Sequence, residues 1–213
     1  MKKPSVNYDL PLVSVIIPNY NHAKYLTERI NSVLAQDYPN FEVIILDDKS
    51  TDNSVEIIDT YKNHKRISNI VINTENSGNT FHQWAKGIKL SKGEYIWIAE
   101  SDDVADSCFI SKLMDKLINT PNAIVAFCYS YMIDGNGNKL EYTWDKPNLY
   151  QKDGISEGDL FCIKRLVYGN SIYNASMSIF KKSNCAEISE SYRKYRHCGD
   201  WLFWLAQLQL IKT

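Results

Sequence analysis

The 213-residue sequence lacks several features that would each point to a function class. It has no excess of charge of either sign, with 24 Lys and Arg against 25 Asp and Glu. Nucleic-acid binding usually shows as a basic excess, so no nucleic-acid partner is expected. Any anionic ligand must then be held by local groups or a bound cation. There is no CxxC pair. The five cysteines, Cys108, Cys128, Cys162, Cys185 and Cys198, are odd in number and widely spaced, which argues against a zinc cluster or disulfide framework. They read as free thiols in a reducing compartment. His22, His64, His82 and His197 show no metal-ligand spacing, so surface or capping roles are expected of them. No apolar run approaches the roughly 20 residues that span a bilayer, and Met1-Lys2-Lys3-Pro4 leads into polar residues rather than a signal-type run. A cytoplasmic protein is expected. Internal repeats and low-complexity tracts are also missing.

What is present reads as a folded globular chain. Apolar residues at 44% and charged residues at 23% are the balance of a soluble protein rather than a disordered one. The length suits one domain with a substantial core.

Leu12 to Ile17 is short, β-branched and apolar on both faces, the pattern of a central parallel strand. Pro18-Asn19-Tyr20-Asn21 is expected to stop it, since proline cannot donate to the ladder. Tyr25, Leu26, Ile30, Val33 and Leu34 then fall at helical spacing until Asp37-Tyr38-Pro39. Phe41 to Leu46 is a second strand running into Asp47-Asp48. A helix is expected from Asn53, with Glu56 as capping partner and Val55, Ile58 and Tyr61 turned inward. Ile70 to Ile72 is a short third strand, and Asn79 to Leu90 a helix closed by Lys92-Gly93 as a glycine stop. Tyr95 to Ala99 is a fourth strand running into Glu100-Ser101-Asp102-Asp103. Such strand–helix units imply right-handed crossovers and a doubly wound, Rossmann-like, mostly parallel α/β sheet.

The second half predicts a smaller, mixed part. Phe109 to Leu117 reads as a helix and Ala123 to Tyr131 as a strand, with a hairpin around Asp134-Gly135-Asn136-Gly137-Asn138. Residues 141 to 158 have little periodicity and predict a surface excursion. Ala175 to Phe180 predicts a late strand, and Gly199-Asp200 opens an apolar helix over Trp201 to Leu210. A chain ending at Thr213, so soon after this helix, reads as a fragment of a longer protein.

Open α/β sheets bind ligands outside the carboxyl ends of their strands, and three polar clusters are expected there. Pro18 to Asn21 follows strand one, Asp47-Asp48 strand two, and Glu100 to Asp103 strand four. Grouped carboxylates repel unless something cationic lies between them, and a metal with oxygen ligands resolves this. Asp102-Asp103 is a candidate to bind a hard cation beside a diphosphate, or simply an N-cap of the next helix. Asp48 is a candidate acceptor for a base or ribose, or a turn residue. Tyr20 offers an aromatic face to a nucleobase, or packs in its loop. Asp200 is a candidate base for an acceptor hydroxyl, or a helix cap favoured by the dipole.

The series Val13-Ser14-Val15-Ile16-Ile17-Pro18-Asn19-Tyr20-Asn21, Asp47-Asp48-Lys49-Ser50-Thr51-Asp52 and Gly93-Glu94-Tyr95-Ile96 with Ser101-Asp102-Asp103 resembles family-2 glycosyltransferases of the GT-A fold. The resemblance covers residues 12 to about 120, and beyond them rests on Gly199-Asp200-Trp201. It implies that Pro18 and Tyr20, with Asn21, border the nucleotide and that Asp48 binds the base or ribose. It further implies that Asp102 contacts the donor's ribose or sugar and that Asp103 binds manganese or magnesium through the diphosphate. Asp200 matches the family's catalytic base. The family often has Ala-Arg-Asn where this chain has Gln83, Trp84 and Ala85, so a diphosphate contact from that arginine does not carry over.

The resemblance therefore implies inverting transfer of a sugar from a UDP-type nucleotide donor to a hydroxyl of a glycan or lipid-linked acceptor in cell-surface polysaccharide synthesis. The nucleotide side is expected over residues 10–120 and the acceptor side over 121–213. Lys181, Lys182, Arg193, Lys194 and Arg196 form a basic stretch that would suit an anionic membrane or a lipid-diphosphate acceptor, although a solvated face is commoner. Trp201 and Trp204 are expected to pack in the core. Two competitors remain. A nucleotidyltransferase would want a glycine-rich, Lys- or Arg-bearing loop after strand one, which Asn19-Tyr20-Asn21-His22 is not. A non-catalytic nucleotide-sugar module would not need Asp200.

Overall fold

The computed structural model describes residues 10–141, 154–188 and 190–208, so most of the expected excursion over 141–158 and the end of the last helix lie outside the described residues. Six strands form one sheet: β1 (Val13–Asn19), β2 (Phe41–Asp47), β3 (Ile67–Ile72), β4 (Tyr95–Ile98), β5 (Val125–Phe127) and β6 (Ser178–Lys181). Their order is β3-β2-β1-β4-β6-β5. Pairings β1–β2, β1–β4 and β2–β3 are parallel, whereas β6 runs antiparallel to both β4 and β5.

The helices are α1 (Ala23–Leu34), α2 (Ser54–Thr60), α3 (Thr80–Leu90), α4 (Phe109–Asn119), α5 (Gly158–Phe161, continued by a π-turn to Leu166) and α6 (Gly199–Gln207). Residues of α1, α2 and α4 cover one face of the sheet, packing Leu26, Ile30, Ile58, Ile110 and Met114 against Val13, Val15 and Ile17. Residues of α3, α6 and the π-turn cover the other, with Phe81, Trp84, Phe203 and Trp204 over Ile16, Ile44, Ile96 and Phe180. Both faces are buried, which is why β1, β2 and β4 read as continuous apolar runs rather than alternating ones.

Several expected boundaries move, each for a physical reason. β1 continues through Pro18 to Asn19. The Ile16 carbonyl accepts from Ala99 on the β4 side and the Asn19 carbonyl from Asp48 on the β2 side, so Pro18 shares its side with Ile16. Pairing with β4 ends at Ile16–Ile98, and the missing N–H of Pro18 therefore costs no ladder bond. Asn53 makes no side-chain cap of α2; Asp52 takes that place, accepting the Ser54 N–H at 3.0 Å and the Ala23 N–H of α1 at 2.9 Å.

Gly93 is not a left-handed helix stop. Its backbone crosses β1 so closely that an added Cβ would meet Ser14 N at 2.6 Å and Leu12 O at 2.7 Å. The expected hairpin is a turn closed by one isolated bridge, Ile133–Lys139. The late strand begins only at Ser178, because Ala175–Met177 forms a 3-10 turn.

Candidate active site

β1 has its chain neighbour β2 on one side and β4 on the other, so the crevice beyond their carboxyl ends is the switch point where ligands of such sheets bind. A cleft of about 470 Å³ opens there, lined among others by Thr80, Trp84, Glu100, Asp102, Asp103, Tyr173, Asn174 and Asp200. Three of the expected acids, Asp102, Asp103 and Asp200, thus meet in one place although 97 residues separate Asp103 from Asp200.

Asp102 and Asp103 follow β4, and neither caps the helix after them: the N-cap position of α4 is Cys108. Asp103 Oδ2 accepts Asn174 Nδ2 at 2.9 Å and lies 3.6 Å from the Arg29 guanidinium. Among the described residues no hydrogen bond reaches Asp103 Oδ1. Arg29 is fully buried in α1, donates to the Glu100 carbonyl at 2.6 Å and Ser176 Oγ at 2.8 Å, and lies over the Trp97 ring at 5.5 Å. Burial lowers its pKa to about 10 while Asp103, Glu100 and Asp102 pull it back up, so it stays cationic at neutral pH.

Glu100 shares the cleft. Its carboxylate accepts Trp84 Nε1 at 2.7 Å, and burial, reinforced by Asp102 and Asp103, pushes its pKa up to about 7 against the pull of Trp84 and Arg29. Sequence reasoning placed Glu100 in the polar cluster after strand four without giving it a role of its own, and passed over Arg29. Arg29 falls at the spacing of the apolar Leu26, Ile30 and Val33 stripe, and a charge on a buried stripe was the signal available.

Asp200 sits one residue inside α6, whose N-cap Cys198 has left-handed backbone (φ 61°) and makes no side-chain cap bond. Asp200 is therefore not the N-cap itself, although it stands in the first turn, where the helix dipole acts on it. It accepts Asn170 Nδ2 at 2.7 Å, and burial raises its pKa against the lowering effect of the Trp201 N–H and Asn170. Gly199 explains its placement. A Cβ there would stand 2.5 Å from the Phe81 ring and 2.6 Å from the Tyr192 carbonyl, so only glycine lets α6 start against α3 and bring Asp200 to the cleft.

The remaining expected residues are not brought to this cleft. Asp48 is 4% exposed, and its carboxylate accepts from Asn73 Nδ2 (2.6 Å), Ser77 N (3.0 Å), Ser77 Oγ (2.8 Å) and Gln83 Nε2 (2.7 Å). Asn21, at φ 56°, donates its N–H to Ser50 Oγ and accepts the Thr51 N–H on Oδ1 at 2.7 Å, tying the loop after β1 to the loop after β2. Pro18 is buried in β1, whereas Tyr20 is 47% exposed in the loop beyond it. His22, half-buried at the N-cap position of α1, makes no side-chain cap bond; its Nδ1 bonds Ser101 Oγ at 2.7 Å and joins the loops after β1 and β4.

Trp204 packs in the core as expected, and half-buried Trp201 donates to the Leu166 carbonyl at 2.6 Å. Part of the basic stretch is used internally: Lys181 donates to the Pro121 carbonyl, Lys182 to that of Ser91, and Arg193 pairs with Glu190. No helix among the described residues is long and apolar enough to cross a membrane.

No three His, Cys, Asp or Glu side chains among the described residues group into a metal cage. The open Oδ1 of Asp103 beside exposed Asp102 suits a hard cation that keeps water and phosphate oxygens as its other ligands.

Similarity to known proteins agrees with this geometry. The chain is 32% identical over 183 residues to glycosyltransferase GlyG of Streptococcus pneumoniae, covering 85% of this chain and 56% of that protein. It is 39% identical over 92 residues to the poly(ribitol-phosphate) β-N-acetylglucosaminyltransferase TarS of Staphylococcus aureus, covering 42% of this chain and 16% of TarS. The crystal structure of TarS 1–349 superposes with a TM-score of 0.69 at 22% identity, covering 92% of this chain and 55% of that one. Its complex with UDP-GlcNAc gives 0.58 at 24% identity over 82% of this chain and 46% of that one. A mannosyltransferase from Pyrobaculum calidifontis in complex with GDP-Man and Mn2+ gives 0.59 at 20% identity over 83% and 46%. The chain spans just over half the length of GlyG and of the TarS fragment. The sequence profile described as glycosyl transferase family 2 matches residues 14–180, most of the sheet and its helices included, and the chain belongs to that family.

Proposed function

We propose that this chain carries the donor-binding and catalytic parts of an inverting glycosyltransferase that moves a sugar from a nucleoside diphosphate to a hydroxyl of a cell-envelope glycan or lipid-linked acceptor. The observation that carries the reading is that Asp102, Asp103 and Asp200 line one cleft at the carboxyl edge of the sheet. UDP is the favoured nucleotide because the TarS fragment is known with UDP-GlcNAc, and a polymer acceptor is favoured by the name of TarS.

In this reading residues 10–120 hold the donor, and the part from 121 onward supplies the acceptor side. Tyr20 offers its ring to the base, Pro18 borders it near the end of β1, and Asn21 and Asp48 shape the loops around it. Asp102 meets the ribose or sugar. Asp200 accepts the acceptor hydroxyl's proton while that oxygen attacks the anomeric carbon from the side opposite the diphosphate. The new C–O bond forms as the old one breaks, its electron pair leaves on the diphosphate, and one displacement inverts the centre. Manganese or magnesium, when bound at Asp103, supplies charge to offset that growing on the leaving group. A carboxylate whose pKa burial has raised is a stronger proton acceptor than a solvated one, which suits Asp200 to its part.

Titration of the full-length protein with UDP tests the donor half of the proposal. Binding should tighten with Mn2+ and weaken in excess chelator; equal affinity in both would remove Asp103 as a cation ligand.

A further inference from the structure

Between α5 and β6 the chain carries two asparagines four residues apart, and each does the same two things. Asn170 accepts the Ile172 N–H on Oδ1 at 3.2 Å and donates from Nδ2 to Asp200 Oδ2 at 2.7 Å. Asn174 accepts the Ser176 N–H on Oδ1 at 2.8 Å and donates from Nδ2 to Asp103 Oδ2 at 2.9 Å. In both, the carbonyl half of the amide closes a turn of its own backbone two residues on, and the amino half is thereby aimed at a carboxylate. The segment is itself anchored. Ser176 Oγ accepts from Arg29 Nη2 at 2.8 Å and from Glu100 N at 2.9 Å, pinning it to α1 and to the end of β4. Tyr173 and Asn174 line the cleft alongside both acids.

We propose that Asn170–Ser176 is a positioning template for the displacement. Asn174 orients the carboxylate on the leaving-group side, Asn170 orients the one on the acceptor side, and the fixed step between them sets how far apart the two stand. Neither asparagine meets the reacting atoms; each acts through its aspartate. A carboxylate with one oxygen held by a rigid donor keeps its other oxygen in a constant direction, and Asp103 Oδ1 is left open in this way. In-line attack tolerates little error in spacing, since a misplacement of about 1 Å can cost on the order of a hundredfold in rate. The inference rests on reading Asp103 as the cation ligand and Asp200 as the base.

Serine at either position tests it, because a serine hydroxyl still closes such a turn but is too short to hold the carboxylate. In the full-length protein, Asn174→Ser should weaken Mn2+-supported UDP binding roughly tenfold or more, with UDP binding in chelator unchanged. Asn170→Ser should leave both binding measurements unchanged and lower kcat about tenfold or more. Added to Asp103→Asn, Asn174→Ser should have no further effect on UDP binding; added to Asp200→Asn, Asn170→Ser should cost no further turnover. A purely architectural role would shift both measurements in both variants, lower their melting temperatures, and add fully in the double variants. That pattern overturns the proposal, as does unchanged Mn2+ dependence in a well-folded Asn174→Ser protein. If Asp103→Asn alone leaves the Mn2+ dependence intact, the fault lies with the assignment of Asp103, and the Asn170 measurements stand apart from it.

Discussion

The ends of β2 and β4 both carry paired acids, and the fold surrounds the two pairs differently. At the end of β2, Asp47 is fully buried and bonded to Asn19 and Ser50, while Asp48 is surrounded by Asn73, Ser77 and Gln83. These carboxylates bind the protein's own loops together. At the end of β4, Asp102 is exposed, Asp103 keeps one oxygen open, and Glu100 is held near neutrality by burial. The difference teaches that acids at strand ends are set apart by whether protein donors already fill their lone pairs. Both pairs occupy comparable places in the topology.

That contrast can be broken or sharpened experimentally, and the largest effect is expected furthest along the chain. Asp200→Asn in the full-length protein should lower transfer by about a hundredfold to ten-thousandfold while donor affinity stays nearly constant. Retained turnover would mean that another group takes the proton. Wild-type turnover should also fall as the pH drops through the raised pKa of Asp200, since protonation removes the base.

Next in size is Asp103→Asn, which should cost roughly ten- to a hundredfold in the Mn2+ concentration that supports UDP binding, as read by calorimetry. Asp48→Ala should behave as the opposite kind of change. It leaves buried donors of Asn73, Ser77 and Gln83 unpaired and should destabilise the fold by about 2–4 kcal/mol in urea denaturation. A large loss of UDP affinity with unchanged stability would instead place Asp48 against the nucleotide and erase the contrast drawn above.

The smallest effect is expected at Glu100. Its folded-state pKa of about 7 lies above its ordinary value of 4.5, so the stability it contributes is fully present below pH 4.5 and is lost as pH rises through 7. Glu100→Gln, measured in chelator, should therefore melt a few degrees higher than wild type above pH 7 and nearly alike near pH 4. Equal melting temperatures at both ends would show that Glu100 is solvated rather than buried.

β1, β2 and β4 were legible because a sheet covered on both faces needs unbroken apolar runs, and the chain supplies them with a polar cluster after each, whereas the partly exposed β3 was read only over its end, Ile70 to Ile72. The late strand β6 was legible but its antiparallel direction was not, since four residues between two 3-10 segments carry too little pattern to announce a direction. Asp102, Asp103 and Asp200 were legible as types of residue in suggestive company. The donors that surround Asp48 and Asp52 were not legible, because a turn-closing acid and a ligand-binding acid look alike until those donors are known.

The order of apolar runs and breakers alone settled that this chain forms parallel strand–helix units with acids at the carboxyl ends, because burial and backbone hydrogen bonding depend on local pattern. Only the tertiary structure decided which acids stay open. That choice depends on donors distant in sequence, Asn174 for Asp103 and Asn170 for Asp200, and on a glycine at 199 that lets one helix start against another. Such contacts are set by how elements pack in space, and no spacing along the chain encodes them.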